Sequence, residues 1–150
     1  MMNAIDAIRT GFAKSFQFSG RAGRAEFWWF YCLCSILIRA ISAYTQHEIW
    51  QSPRLLVAIY LTFAWVAAGV RRIHDIGRSA HLFAVGAVAS VLLAPMALNL
   101  SRDNPIDASA AQWLCFVLMW AITFYLYWYL ISPSQPGPNK YGPNPHEVPS

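Results

Sequence analysis

The chain has 150 residues, 57% hydrophobic and 12% charged, about half the charged fraction of an ordinary soluble domain. That deficit excludes a typical water-soluble surface and argues for one facing lipid. The net charge of +4 would suit a nucleic-acid binder, but the few basic residues flank long apolar runs, where Lys and Arg act first as orientation signals.

Residues 1–16 read as an amphipathic helix. Met1, Ile5, Ile8, Phe12 and Phe16 recur at helical spacing as one narrow stripe, while Asp6, Thr10 and Lys14 lie away from it. Such a helix lies in the plane of a membrane surface, stripe down, or packs against the rest of the protein. It is too polar for a secretory signal, and Arg39 inside the next apolar run argues against processing at Ala40-Ile41-Ser42. Gly20 and Gly23 then loosen the backbone, Arg21 and Arg24 add positive charge, and Glu26 complements the start of the following helix.

Four apolar stretches follow, at residues 27–44, 55–70, 81–98 and 113–131, each long enough to approach or cross the hydrocarbon core. The first opens on a block of rings, Phe27 to Tyr31, of the kind found at membrane–water interfaces. Its one charge, Arg39, is either functional at that depth or reaches out to the headgroups. Ala64 and Ala68 in the second stretch, and Gly86, Ser90 and Ala94 in the third, form small-residue faces for close helix packing. Pro95 should kink or end the third. The fourth is thick with large side chains and ends in Tyr125, Tyr127, Trp128 and Tyr129. Cys32 and Cys34 point to nearly opposite sides of a helix and cannot share a metal, and with Cys115 they outline no disulfide framework.

The charged run Arg71-Arg72-Ile73-His74-Asp75-Ile76-Gly77-Arg78-Ser79 reads as the loop joining the second and third stretches. The last residues, 132–150, are rich in proline and cannot continue a helix. They read as a flexible tail, although the segment 135–145 is more ordered in character than a simple linker and leaves room for docking. Arg9, Lys14, Arg21, Arg24, Arg71, Arg72, Arg78 and Lys140 fall on one side of such a topology, against Arg54 and Arg102 on the other. Both termini and the central loop are therefore expected in the cytoplasm. A weak repeat, Gly20-Arg21-Ala22-Gly23 and Gly77-Arg78-Ser79-Ala80, precedes an outward-going span in each half.

Three stretches carry a resemblance. Phe16-Gln17-Phe18-Ser19-Gly20-Arg21-Ala22-Gly23-Arg24-Ala25-Glu26-Phe27-Trp28-Trp29-Phe30, then residues 71–79, then Pro136-Gly137-Pro138-Asn139-Lys140-Tyr141-Gly142-Pro143-Asn144-Pro145 together resemble the domain of unknown function 805 family of small bacterial inner-membrane proteins. The resemblance covers about residues 16–145. It departs after Ser79, where the family usually has Gly and two tryptophans and this chain has Ala80-His81-Leu82. It implies a multi-helix inner-membrane protein and no established activity.

Candidate chemistry is sparse. His74-Asp75 is the only His-Asp pair, and His47, His81 and His146 are too dispersed to complete a metal site. A phosphatidyl-transfer enzyme would need several aspartates near the membrane, and only Asp75 qualifies; no nucleophile with an oriented base is visible. No catalytic residue, metal or cofactor is expected. Arg21, Arg24, Arg71, Arg72 and Arg78 converge on the cytoplasmic surface and, with Glu26, His74 and Asp75, form the candidate ligand site. Arg forks suit the phosphate oxygens of an anionic lipid headgroup. Alternatively, these charges only set orientation and pair with Glu26 and Asp75 at the helix ends.

The expected fold is an all-α membrane protein with four transmembrane helices in two hairpins, preceded by an amphipathic surface helix. Residues 1–19 form that helix on the cytoplasmic face, 20–131 the transmembrane domain and 132–150 the proline-rich cytoplasmic tail. The expected role is non-catalytic binding or scaffolding, with the lipid bilayer, anionic lipid headgroups, a membrane-protein partner or a homo-oligomer as partners and no nucleic acid. A small oligomeric transporter or channel is the alternative, and an enzyme acting on a phosphate-containing lipid the third reading.

Overall fold

A computed structural model describes residues 2–44, 53–81, 83–86, 89 and 109–144. Among the described residues the chain is helical and has no strand, with one isolated bridge between Asn139 and Gly142. The long elements are α1 (Ala4–Ala13), α2 (Arg24–Tyr44), α3 (Arg54–Asp75) and α4 (Ala110–Ile131). Two compact units emerge, Met1–Arg78 with Pro133–Ser150, and Ser79–Ser132.

In the first unit, α1 begins where the Asn3 side chain accepts a hydrogen bond from the Asp6 amide at 2.8 Å. Its buried residues are small: Ala7 and Gly11 on the helix and Ser15 just beyond, all four apart. That face lets α1 approach α2 so closely that a Cβ at Gly11 would collide with the Phe30 ring. The apolar stripe is partly exposed, Ile5 and Phe16 at 63% and 71%, while the Phe12 ring meets Phe30 and the Phe16 ring meets Tyr60 and Phe63. The helix expected over residues 1–16 is observed over Ala4–Ala13, with its small face and the Phe12 ring against α2.

α2 and α3 pack through matched spacings. Phe27, Phe30 and Cys34 are buried on α2, and Leu61, Ala64 and Ala68 on α3. A three-then-four step keeps each set on one helix face. Ala64 and Ala68 are the small pair expected to support close packing, and both are fully buried. Tyr31 and Trp65 meet edge to face across the pair at 5.6 Å.

The charged run 71–79 is not all loop. α3 continues through Arg71, Arg72, Ile73, His74 and Asp75, one turn beyond its apolar segment. It ends in a Schellman motif: Gly77 takes φ +76°, its amide bonds the His74 carbonyl at 3.0 Å, and the Arg78 amide bonds that of Ile73 at 3.2 Å. Helix persists through a charged stretch because each charge finds an ion-pair partner: Arg71 in Glu26, Arg72 in Asp75, and Asp75 also in Arg21.

In the second unit, α4 opens on a capping box, the Ser109 side chain bonding the Gln112 amide while the Gln112 side chain bonds the Ser109 amide. Leu126 and Leu130 are buried, and Leu126 and Ile122 close over Gly86. Gly86 is therefore a close-packing position, as expected. Most large residues of α4 are exposed, including Trp120, Phe124 and Trp128. Among the described residues, α3 and α4 are long and apolar enough to cross a membrane. α2, at 21 residues, also has the length of a span. Most of the expected span 81–98, and His47, Pro95, Arg102 and His146, lie outside the described residues.

If both termini face the cytoplasm, a periplasm-active reporter such as alkaline phosphatase fused after Ser150 stays silent in cells. An active fusion contradicts that topology.

Candidate functional site

The site is assembled at the end of α3 by three segments: residues 20–26 leading into α2, the last turn of α3, and residues 133–144. Asp75 lies at its centre, fully buried. One carboxylate oxygen accepts from Arg21 Nε at 2.9 Å; the other accepts from Arg72 Nη1 and from the Ser134 hydroxyl.

Arg21 uses its whole guanidinium. Besides Asp75 Oδ1, it donates through Nη2 to the carbonyls of Gln135 at 2.6 Å and Asp75 at 3.3 Å. Through Nη1 it reaches those of Gly137 at 2.7 Å and Gly142 at 3.4 Å. Five donors meet five acceptors, the full capacity of an arginine. A second buried pair lies alongside, Arg71 to Glu26 at 3.2 Å. Arg71 Nη1 also takes the carbonyls of Lys14 and Gln17, both at 2.6 Å, placing a cation at the carbonyl end of α1. Its Nε is buried with no hydrogen-bond partner.

Residues 133–144 form a strap across this cluster. The Gln135 amide donates to the Asp75 carbonyl at 3.0 Å, and the Asn139 side chain donates to that of His74 at 3.0 Å. Asn139 and Gly142 exchange backbone bonds at 3.0 and 2.9 Å, closing a turn with Gly137 and Gly142 at positive φ. The turn presents Tyr141 to His74, ring stacked on ring at 3.8 Å and 9°, with Lys140 Nζ 4.9 Å from the tyrosine centroid.

Of the eight residues expected at the ligand site, Arg21, Arg71, Arg72, Glu26 and Asp75 are buried in ion pairs, and His74 is half-buried beneath Tyr141. Arg24 and Arg78 are exposed, as is Arg39 on α2. Burial pushes the Arg72 guanidinium below the usual arginine range, Asp75 pulls it back, and nearby Arg24 and Arg21 add repulsion. Among the described residues no group of three His, Cys, Asp or Glu could hold a metal ion. Sequence reasoning missed Ser134, Gln135, Asn139 and Tyr141. The signal available for them was turn chemistry, two glycines and an Asn set among prolines.

Among the described residues the chain is all-helical, two of its helices are long and apolar enough to cross a membrane, and a polar cap is knitted by buried ion pairs and residues 133–144. The family model described as "Protein of unknown function (DUF805)" matches residues 15–143, and the chain belongs to that family. No curated protein and no solved structure matches it.

His74 lies beyond the apolar segment of α3. Burial pushes its imidazole below the ordinary 6.5, a hydrogen bond with the Gly20 backbone raises it, and Lys140 lowers it again. Its Nδ1 is buried without a partner, so the neutral ring is the form that fits. A depressed histidine contributes stability that is whole above 6.5 and lost as pH falls below it. Acidification should therefore lower the melting temperature of the native chain in detergent more than that of His74→Phe, which keeps a ring for Tyr141 and cannot charge. Equal decreases contradict this.

Proposed function

We propose that the chain is a multi-pass protein of a bacterial inner membrane, with four spans and both termini in the cytoplasm. In this reading it acts by binding rather than catalysis, its basic cytoplasmic face meeting anionic lipid headgroups. The supporting observation is the division of labour among the arginines. Arg21, Arg71 and Arg72 are committed to internal acceptors, while Arg24 and Arg78 remain exposed at the rim of the same cluster. The carboxylates that could neutralise the rim are already taken, Asp75 by Arg21 and Arg72, Glu26 by Arg71. Exposed arginines beside a membrane each contribute about 1 kcal/mol of attraction to an anionic surface.

Native mass spectrometry of the detergent-purified chain, titrated with phosphatidylglycerol and phosphatidylcholine, tests this. Replacing Arg24 and Arg78 by Gln should weaken phosphatidylglycerol binding by roughly thirtyfold, two charges at about 1 kcal/mol each, and leave phosphatidylcholine unchanged. Equal retention of both lipids by the native chain contradicts the proposal.

A further inference from the structure

We infer that the strap, residues 133–144, is a displaceable internal occupant of a phosphate-binding site built on Arg21 and Arg24. This rests on the anionic-lipid reading and adds its regulation.

Charge balance is the first argument. Arg21 and Arg72 share one carboxylate, Asp75, Arg24 lies near enough to Arg72 to repel it, and Glu26 is taken by Arg71. Three cations against one anion leave an excess of two positive charges. The strap answers that excess with neutral carbonyls from Gln135, Gly137 and Gly142, and it brings a further cation, Lys140. A phosphate would offer charged oxygens instead, adding to the guanidinium's hydrogen bonds a charge–charge attraction that a neutral carbonyl lacks, in the two-pronged geometry an arginine fork favours.

The second argument is how the strap is held. None of residues 133–144 is buried, and Gln135, Pro136, Pro138, Lys140 and Pro143 are exposed. The strap rests on polar contacts and the single stack of Tyr141 on His74, with no apolar anchor in the core. Polar contacts of this kind are largely repaid by water on release, whereas buried apolar surface is not.

The third is what release would leave behind. Arg21 keeps its bonds to the Asp75 carboxylate and carbonyl, so the guanidinium stays oriented. The donors now on Gln135, Gly137 and Gly142 come free on Nη1 and Nη2, the fork that grips a phosphate in two places. Strap and phosphate therefore compete for the same N–H groups, and each must weaken the other by the same factor.

Trypsin reads the state of the strap by cutting after Lys140. In the full chain in detergent, dihexanoyl phosphatidylglycerol should speed that cut severalfold, and dihexanoyl phosphatidylcholine should not. Asn139→Ala with Tyr141→Ala, which loosens the strap without touching an arginine, should bind phosphatidylglycerol about tenfold tighter, and adding Arg21→Gln should cancel the gain. Inorganic phosphate is the parallel arm. The same response to it assigns the site to free phosphate, and a response to the lipid alone assigns it to a headgroup; either supports the inference. If phosphatidylglycerol and phosphate both leave the Lys140 cut of the native chain unchanged, the strap is only a cap on α3 and the inference falls. The anionic-lipid reading then survives if the native chain still prefers phosphatidylglycerol through Arg24 and Arg78. If neither native nor loosened chain binds either probe, both readings fall.

Discussion

The carboxylate of Asp75, fully buried and gripped by two guanidinium groups, is the interaction from which the rest of the described cap follows. A lone buried carboxylate costs several kcal/mol in lost hydration, so it stays charged only where partners replace the water. Here the partners are far apart in the chain: Arg21 lies 54 residues before it and Ser134 59 residues after. Satisfying one side chain thus fixes the approach to α2, the end of α3 and the path of the strap in one arrangement. Apolar replacement of such a network is often neutral for stability; what the network supplies is a single geometry. Arg71 repeats the logic one turn earlier, joining Glu26 on α2 to the carbonyl end of α1.

Much of this could be read from the letters. Periodicity marked α1, long apolar runs marked α2, α3 and α4, the small residues at 64, 68 and 86 marked close packing, and the clustering of arginines marked the polar end. The last turn of α3 was not legible. A run such as Arg71-Arg72-Ile73-His74-Asp75 looks like solvent-exposed loop because charge usually means water. Here Arg71 pairs with Glu26 and Asp75 with Arg21, Ser134 adds a hydrogen bond, and no local pattern records partners that distant. For the same reason the tail read as flexible: its acceptors are backbone carbonyls, which every sequence possesses.

The short repeat teaches a similar lesson. Gly20 and Gly77 both adopt positive φ, +90° and +76°, so the likeness between the two stretches extends to the backbone. The arginines that follow diverge: Arg21 is buried with every donor used, and Arg78 is exposed. A Cβ on Gly77 would also collide with Gln135 Oε1, so that glycine serves both the helix end and the strap. Away from the cap, exposed Leu56 and Ile59 on α3 and Phe124 and Trp128 on α4 give those helices faces that suit lipid better than water.

The most direct test of the account is the coupling between Arg21 and Asp75. Unfolding free energies in detergent would be measured for Arg21→Gln, Asp75→Asn and the double variant. A buried, geometrically matched pair predicts that the double variant is less destabilised than the sum of the singles, by about 1–3 kcal/mol. Additivity to within about 0.5 kcal/mol would mean that the two side chains do not depend on each other, and the cap would need another explanation.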